Sequence, residues 1–125
     1  MKTMTRGEAQ SEISQAIVKF EREYMGRGPE DAQAFIFEDI VFVRLRGVLT
    51  PAEKHLAKSE DSTAGRKLIK EVRQELLEKA RVLLETIINN VLNIKVKSMH
   101  TDISTITGER IIVFTLEGRP EFRGE

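Results

Sequence analysis

The sequence predicts a single two-layer α+β domain, in which a sheet of about four antiparallel or mixed strands carries one long helix and two shorter ones on one face. Three observations lead there. Apolar residues recur every three or four positions near the start and again over 63–91, whereas β-branched and aromatic residues crowd or alternate over 33–46, 94–99 and 110–117. The strands come in consecutive pairs around a helical block, in the order α-β-β-α-α-β-β, and not in the regular β-α alternation of parallel crossovers. Finally, 125 residues suit one domain with a core of its own and short tails on either side.

The first helix is expected over about 7–25, where Ile13, Ala16, Ile17, Phe20 and Tyr24 form one stripe and Glu12, Gln15, Lys19 and Glu23 lie between them. Gly26-Arg27-Gly28-Pro29 stops it, because glycine accepts the left-handed conformation of a helix C-terminus and proline cannot continue the helix. Strands follow at about 33–37 and 40–46, separated by Glu38-Asp39 as a tight turn or bulge, unless the two are one bent strand. Thr50-Pro51-Ala52-Glu53 supplies an N-cap hydroxyl, proline at the first helical position and an acid able to bond back to the cap amide, so a short helix starts at Pro51. The long helix follows over about 63–91. Its ten apolar positions, among them Ile69, Val72, Leu76, Leu83 and Ile87, make a stripe wider than a coiled-coil seam. Two strands joined by a hairpin loop at Ser104–Gly108 complete the chain.

Composition narrows the chemistry. With Cys 0 there are no disulfides, thiolate nucleophiles or cysteine-bound zinc. The opening residues lack the apolar stretch of a secretory signal, and the longest apolar run, Ile40–Val43, is far short of the ~20 residues that cross a bilayer. A cytoplasmic protein without direct membrane insertion is expected. The formal net charge of +0 gives no whole-molecule attraction to nucleic acid, and one Tyr with no Trp offers little for stacking on single strands. No nucleic-acid partner is expected.

Each candidate site has a structural reading beside its functional one. Gly26, Arg27 and Gly28 can form a compact anion site, with a planar guanidinium beside close-approaching backbone, or merely end a helix; no Gly-Lys-Ser/Thr makes them a P-loop. Arg66, Lys70 and Arg73, at i, i+4 and i+7, form a short basic stripe that suits an acidic or phosphorylated partner, or a solvated face paired with Glu71, Glu75 and Glu78. Pro29, Thr50, Pro51 and Glu53 read as structural. His55 and His100 lie far apart without an acid cluster at ligand spacing, so neither a metal nor a cofactor is implied. Asp39 and Asp102 have no visible acid or base partner.

Taken together, Gly26-Arg27-Gly28-Pro29, Val43-Arg44-Leu45-Arg46-Gly47 and Val48-Leu49-Thr50-Pro51-Ala52-Glu53 with Leu56 resemble the MpsC-like family, which includes the YbcI-type proteins. Gly65, Arg73, Asp102 and Val113-Phe114-Thr115-Leu116 extend the resemblance over about 8–117. The family name implies an accessory or regulatory part in a membrane sodium or bicarbonate transport system that generates membrane potential, with a membrane protein as partner. The resemblance implies no catalytic residues to carry over. The leading expectation is a non-enzymatic interaction or regulatory module. Alternatives are a sensor of small anions or phosphorylated ligands, and an enzyme whose site assembles only in the fold. A homodimer is also expected, because the long helix has a wide stripe of ten apolar positions and both parities of Phe35–Leu45 are apolar; the alternative is that the first helix and the short second helix cover everything within one chain.

Overall fold

A computed structural model describes residues 3–58 and 62–125. Seven elements follow in the predicted order: α1 (Arg6–Tyr24), β1 (Asp31–Phe37), β2 (Ile40–Arg46), α2 (Pro51–Ala57), α3 (Ser62–Leu92), β3 (Val96–Ile103) and β4 (Arg110–Leu116). The strands form one antiparallel sheet in the order β1-β2-β4-β3. On one face α1 lies over β1 and α3 over β3, and the two helices touch.

Pairing register decides which side chains meet the helices. Rows running across all four strands alternate between the faces. The covered rows are Ala32-Leu45-Arg110-Ile103, Ala34-Val43-Ile112-Thr101 and Ile36-Val41-Phe114-Met99. Ala9, Ile13, Ile17 and Phe20 of α1 and Ile69, Leu77, Ala80, Leu84 and Ile88 of α3 close over them. Each fully buried Ile or Leu contributes roughly 1.5–3 kcal/mol.

Local signals place the element ends. Thr5 and Glu8 cap α1 reciprocally, with Glu8 N donating to Thr5 Oγ1 at 3.1 Å and Thr5 N to Glu8 Oε1 at 2.9 Å. Glu38 and Asp39 form a two-residue turn in which Glu38 takes φ 53°, which removes the bent-strand alternative. Asn93 at φ 55° ends α3. Lys97 is an extra residue in β3, since Val96 pairs with Leu116 and Ser98 with Thr115. This bulge reverses the parity of β3, so Met99 and Ile103 point inward although the alternation before Lys97 predicts the other phase.

The chain beyond β4 belongs to the fold as well. Phe122 is buried, Arg123 N bonds Met4 O at 2.9 Å, and Arg6 stacks over the Phe122 ring at 4.9 Å while holding the Glu125 carboxylate through two bonds of 2.8 Å. Arg6 Nη1 also donates to the Ile36 carbonyl, and Gln10 Oε1 accepts from Ile36 N at 3.0 Å. The start of α1 thereby occupies the backbone groups of edge strand β1 at Ile36.

Gly65 lets α3 cross α2. A Cβ there would sit well inside van der Waals contact with the Leu56 carbonyl oxygen. Gly65→Ala is therefore expected to destabilise by about 1–3 kcal/mol despite the higher helix propensity of alanine. Urea denaturation measures this, and a neutral or stabilising result contradicts the close crossing.

Candidate functional site

Four of the residues picked out by sequence, Arg27, Thr50, Glu53 and Arg73, meet at one corner of the chain, Val48-Leu49-Thr50 between β2 and α2. Thr50 Oγ1 accepts from Glu53 N at 3.2 Å, and Glu53 Oε1 accepts from Thr50 N at 2.9 Å, closing the expected capping box behind Pro51. Arg73 reaches in from α3, bonding both Glu53 oxygens at 2.6 and 3.0 Å and Val48 O at 2.9 Å. From the other side, Arg27 Nη1 donates to Leu49 O at 2.6 Å while its other nitrogen lies 3.6 Å from Glu30. Gly26 takes φ 84° just beyond the C-cap of α1. A Cβ on Gly28 would make only ordinary contacts with Arg22 and Val18, and Pro29 faces a shallow groove beside α1.

The basic stripe divides. Arg66 and Arg73 point the same way but lie about 10 Å apart along the helix axis. Arg73 is therefore covered and paired, and Arg66 reaches the open end of the fold. Lys70 turns to β3, where its Nζ is 3.2 Å from Asp102 Oδ1. That contact and the Ile103 N–H hold the Asp102 carboxyl below its ordinary range, the backbone bond contributing most.

Two further charges stand among the apolar side chains under α1 and α3. Glu21 and Arg110 are each 1% exposed. Arg110 Nη1 bonds Thr101 Oγ1 at 3.0 Å. Glu21 Oε1, Arg73 Nη1, and Nε and Nη2 of Arg110 have no hydrogen-bond partner among the described residues. Desolvation pushes the Glu21 carboxyl up, against the pull of Arg110 and Arg73, and brings the Arg110 guanidinium down to about 10. Neither residue was singled out from sequence, yet both were marked. Glu21 continues the four-residue spacing of Ala9, Ile13 and Ile17, and Arg110 shares the parity of Ile112, Phe114 and Leu116. The four charges Glu21, Glu53, Arg73 and Arg110 balance in sign. Their opposite charges offset one another's burial, and the Thr101 hydroxyl accepts one hydrogen bond from Arg110. Among the described residues, no group of three or more His, Asp or Glu is arranged to hold a metal ion.

Among the described residues, no helix covers the opposite face of the sheet. Its rows are Gln33-Arg44-Ile111-Asp102, Phe35-Phe42-Val113-His100 and Phe37-Ile40-Thr115-Ser98. Phe35, Phe37 and Phe42 are 47%, 69% and 36% exposed, and the Phe35 and Phe42 rings are 6.4 Å apart. Ile40, Ile111 and Val113 continue this surface. Towards β3 it turns polar, where Ser98 Oγ lies 3.3 Å from His100 Nε2 and also bonds Thr115 Oγ1.

The molecule is thus a two-layer α+β module with a charged clasp inside and a bare aromatic sheet face outside. The chain belongs to the family described as the Na+-translocating membrane potential-generating system (MpsC), whose family model matches residues 5–118. It is 42% identical over 112 residues to the uncharacterised protein YbcI of Bacillus subtilis (strain 168), covering 90% of this chain and 88% of that one. No solved structure matches the chain. Among the described residues no helix is long and apolar enough to cross a membrane.

The raised Glu21 carboxyl has a consequence for stability. The folded protein holds this proton more tightly than the unfolded chain, so its contribution to stability falls as pH rises from the usual glutamate value through the raised one. The stability of Glu21→Gln relative to wild type should therefore increase with pH across that interval. Urea titrations at a series of pH values check this, and a pH-independent difference contradicts it.

Proposed function

We propose that this protein is a non-enzymatic interaction module that pairs as a homodimer through its helix-free sheet face. In this reading it serves a sodium-translocating, membrane-potential-generating system as a cytoplasmic accessory or regulatory component. The observation that carries the pairing is the contiguous exposure of Phe35, Phe37 and Phe42 on a regular sheet. Strands of seven or eight residues in a four-stranded sheet give a face of roughly 25 by 19 Å. That is about 450 Å² before side-chain relief is counted, within reach of the ~600–1,000 Å² per partner that stable interfaces bury. Aligned sheet-on-sheet packing about a twofold axis is a common way to cover such a face.

Two rival surfaces fit less well. Edge pairing through β1 is opposed by Arg6 and Gln10, which already occupy the Ile36 backbone. On α3, Leu68, Val72 and Leu83 are exposed, but Glu75 and Lys79, 3.9 Å apart, interrupt the stripe. The accessory role is supported by the family description, together with the lack of a membrane-crossing helix among the described residues.

Light scattering at micromolar concentration should give twice the 14.2 kDa chain mass for wild type and the single mass for a folded Phe35→Ser/Phe37→Ser variant. A wild-type mass that stays at 14.2 kDa as concentration rises contradicts the pairing, as does a variant that remains dimeric. The accessory role predicts co-purification with sodium-translocating subunits, identified by peptide mass, from solubilised membranes of the host. Their absence contradicts it.

A further inference from the structure

A cleft of about 700 Å³ opens between the β2–α2 corner, α2, the start of α3 and the β3–β4 loop. Five cations line it, Arg44, Arg46, Lys54, Lys58 and Arg66, against the two carboxylates Glu30 and Glu109. Both acids are already engaged, Glu109 with Arg44 at 2.7 Å and Glu30 with Arg27 at 3.6 Å. The other four cations have no carboxylate within 4.0 Å among the described residues. Among the described residues this is a local excess of positive charge in a chain of formal net charge +0, and a concave wall of low dielectric focuses its field.

The frame around the cleft is stiff and partly apolar. Val48 N bonds Gly108 O at 3.1 Å, tying the corner to the β3–β4 loop. Gly47 and Gly108 take φ 66° and 75°, and the Glu30 side chain lies across the bare Gly47 Cα. Leu49 and Ala57 contribute buried apolar surface, while Ile106 stands 86% exposed at the mouth.

We propose that this cleft binds a phosphorylated small molecule of the nucleoside polyphosphate kind, at the end of the sheet where Arg44 and Arg46 border the pairing face. Its phosphates lie against Arg46, Lys54, Lys58 and Arg66, and its apolar or planar part lies against Ile106 at the mouth. The cavity has the size of small-molecule sites. Planar guanidinium and mobile ammonium groups together suit a polyphosphate, the first bonding bidentately and the second as a point charge. Among the described residues no aromatic side chain lines the cleft, so a nucleic-acid strand finds no stacking platform and a bound base rests on apolar contact alone. Of the residues marked by sequence, only Arg66 lies here. Lys54 and Lys58 join it from α2 and the residue after it, and Arg46 from the end of β2.

The test is calorimetric titration of the full chain with adenosine triphosphate, guanosine triphosphate and inorganic tripolyphosphate, without added divalent cation. Two variants of equal charge loss are compared, Lys54→Gln/Arg66→Gln in the cleft and Lys19→Gln/Lys95→Gln away from it. A nucleoside triphosphate is expected to bind wild type and the remote variant alike, to bind the cleft variant at least about tenfold more weakly, and to exceed tripolyphosphate in affinity. Thermal melting gives a second reading, since a ligand of the native state raises the midpoint of wild type and the remote variant only. The assignment is overturned by absence of binding at millimolar nucleotide, by equal losses in both variants, by an unchanged cleft variant, by equal affinity for tripolyphosphate, or by tighter binding of single-stranded RNA.

Discussion

The structure depends on how the Val48-Leu49-Thr50 corner is held. Two arginines from distant parts of the chain bind consecutive carbonyls, Arg73 that of Val48 and Arg27 that of Leu49, while Val48 N bonds Gly108 O and Thr50 N bonds Glu53. Glu53 both completes the cap of α2 and receives Arg73, so the start of α2 and the position of α3 are set by one carboxylate. Burial raises the Glu53 carboxyl, but the Arg73 and Thr50 bonds outweigh it and hold it below the usual range. The contact therefore contributes above the usual glutamate value and weakens as pH falls through the lowered one.

Around this corner the two faces of the sheet have different chemistry. The covered face holds Glu21 and Arg110, whose burial is costly and is offset by opposite charges nearby and, for Arg110, by the Thr101 hydroxyl. A one-residue slip of β4 would move Arg110 to the other face along with Ile112, Phe114 and Leu116, so its charge adds to the penalty for wrong register. The open face exposes phenylalanines where a solvated sheet would carry polar residues. One short corner thus connects a charged interior, an apolar outer surface and a basic cleft at the end of the sheet.

Much of the architecture was legible because its signals are local. The capping box at Thr50, the proline at position 51, the helical stop at Gly26 and the two apolar parities of Phe35–Leu45 each report on their own neighbourhood, and the elements follow them. Thr5 and Glu8 carried the same capping signature at α1 but were not picked out. The parity of β3 was hidden because a bulge at Lys97 is set by pairing with β4 and not by the local alternation. The sites were less legible for the same reason. Arg66, Lys70 and Arg73 look alike on a helical projection, and only packing by α2 and β3 sends one to the cleft, one to Asp102 and one into the interior. Lys54, Lys58 and Arg46 come together only when α2 folds back beside the end of β2.

The central claim is that the helix-free sheet face is buried against a second copy, with one corner holding that sheet to the helical layer behind it. Isotope-filtered nuclear Overhauser measurements on mixed dimers of labelled and unlabelled chains test it most directly. The account predicts intermolecular contacts linking the rings of Phe35, Phe37 and Phe42 with one another and with the methyl groups of Ile40, Ile111 and Val113. Intermolecular contacts confined to Leu68, Val72 and Leu83 of α3, or none at concentrations where the mass is that of a dimer, would contradict it.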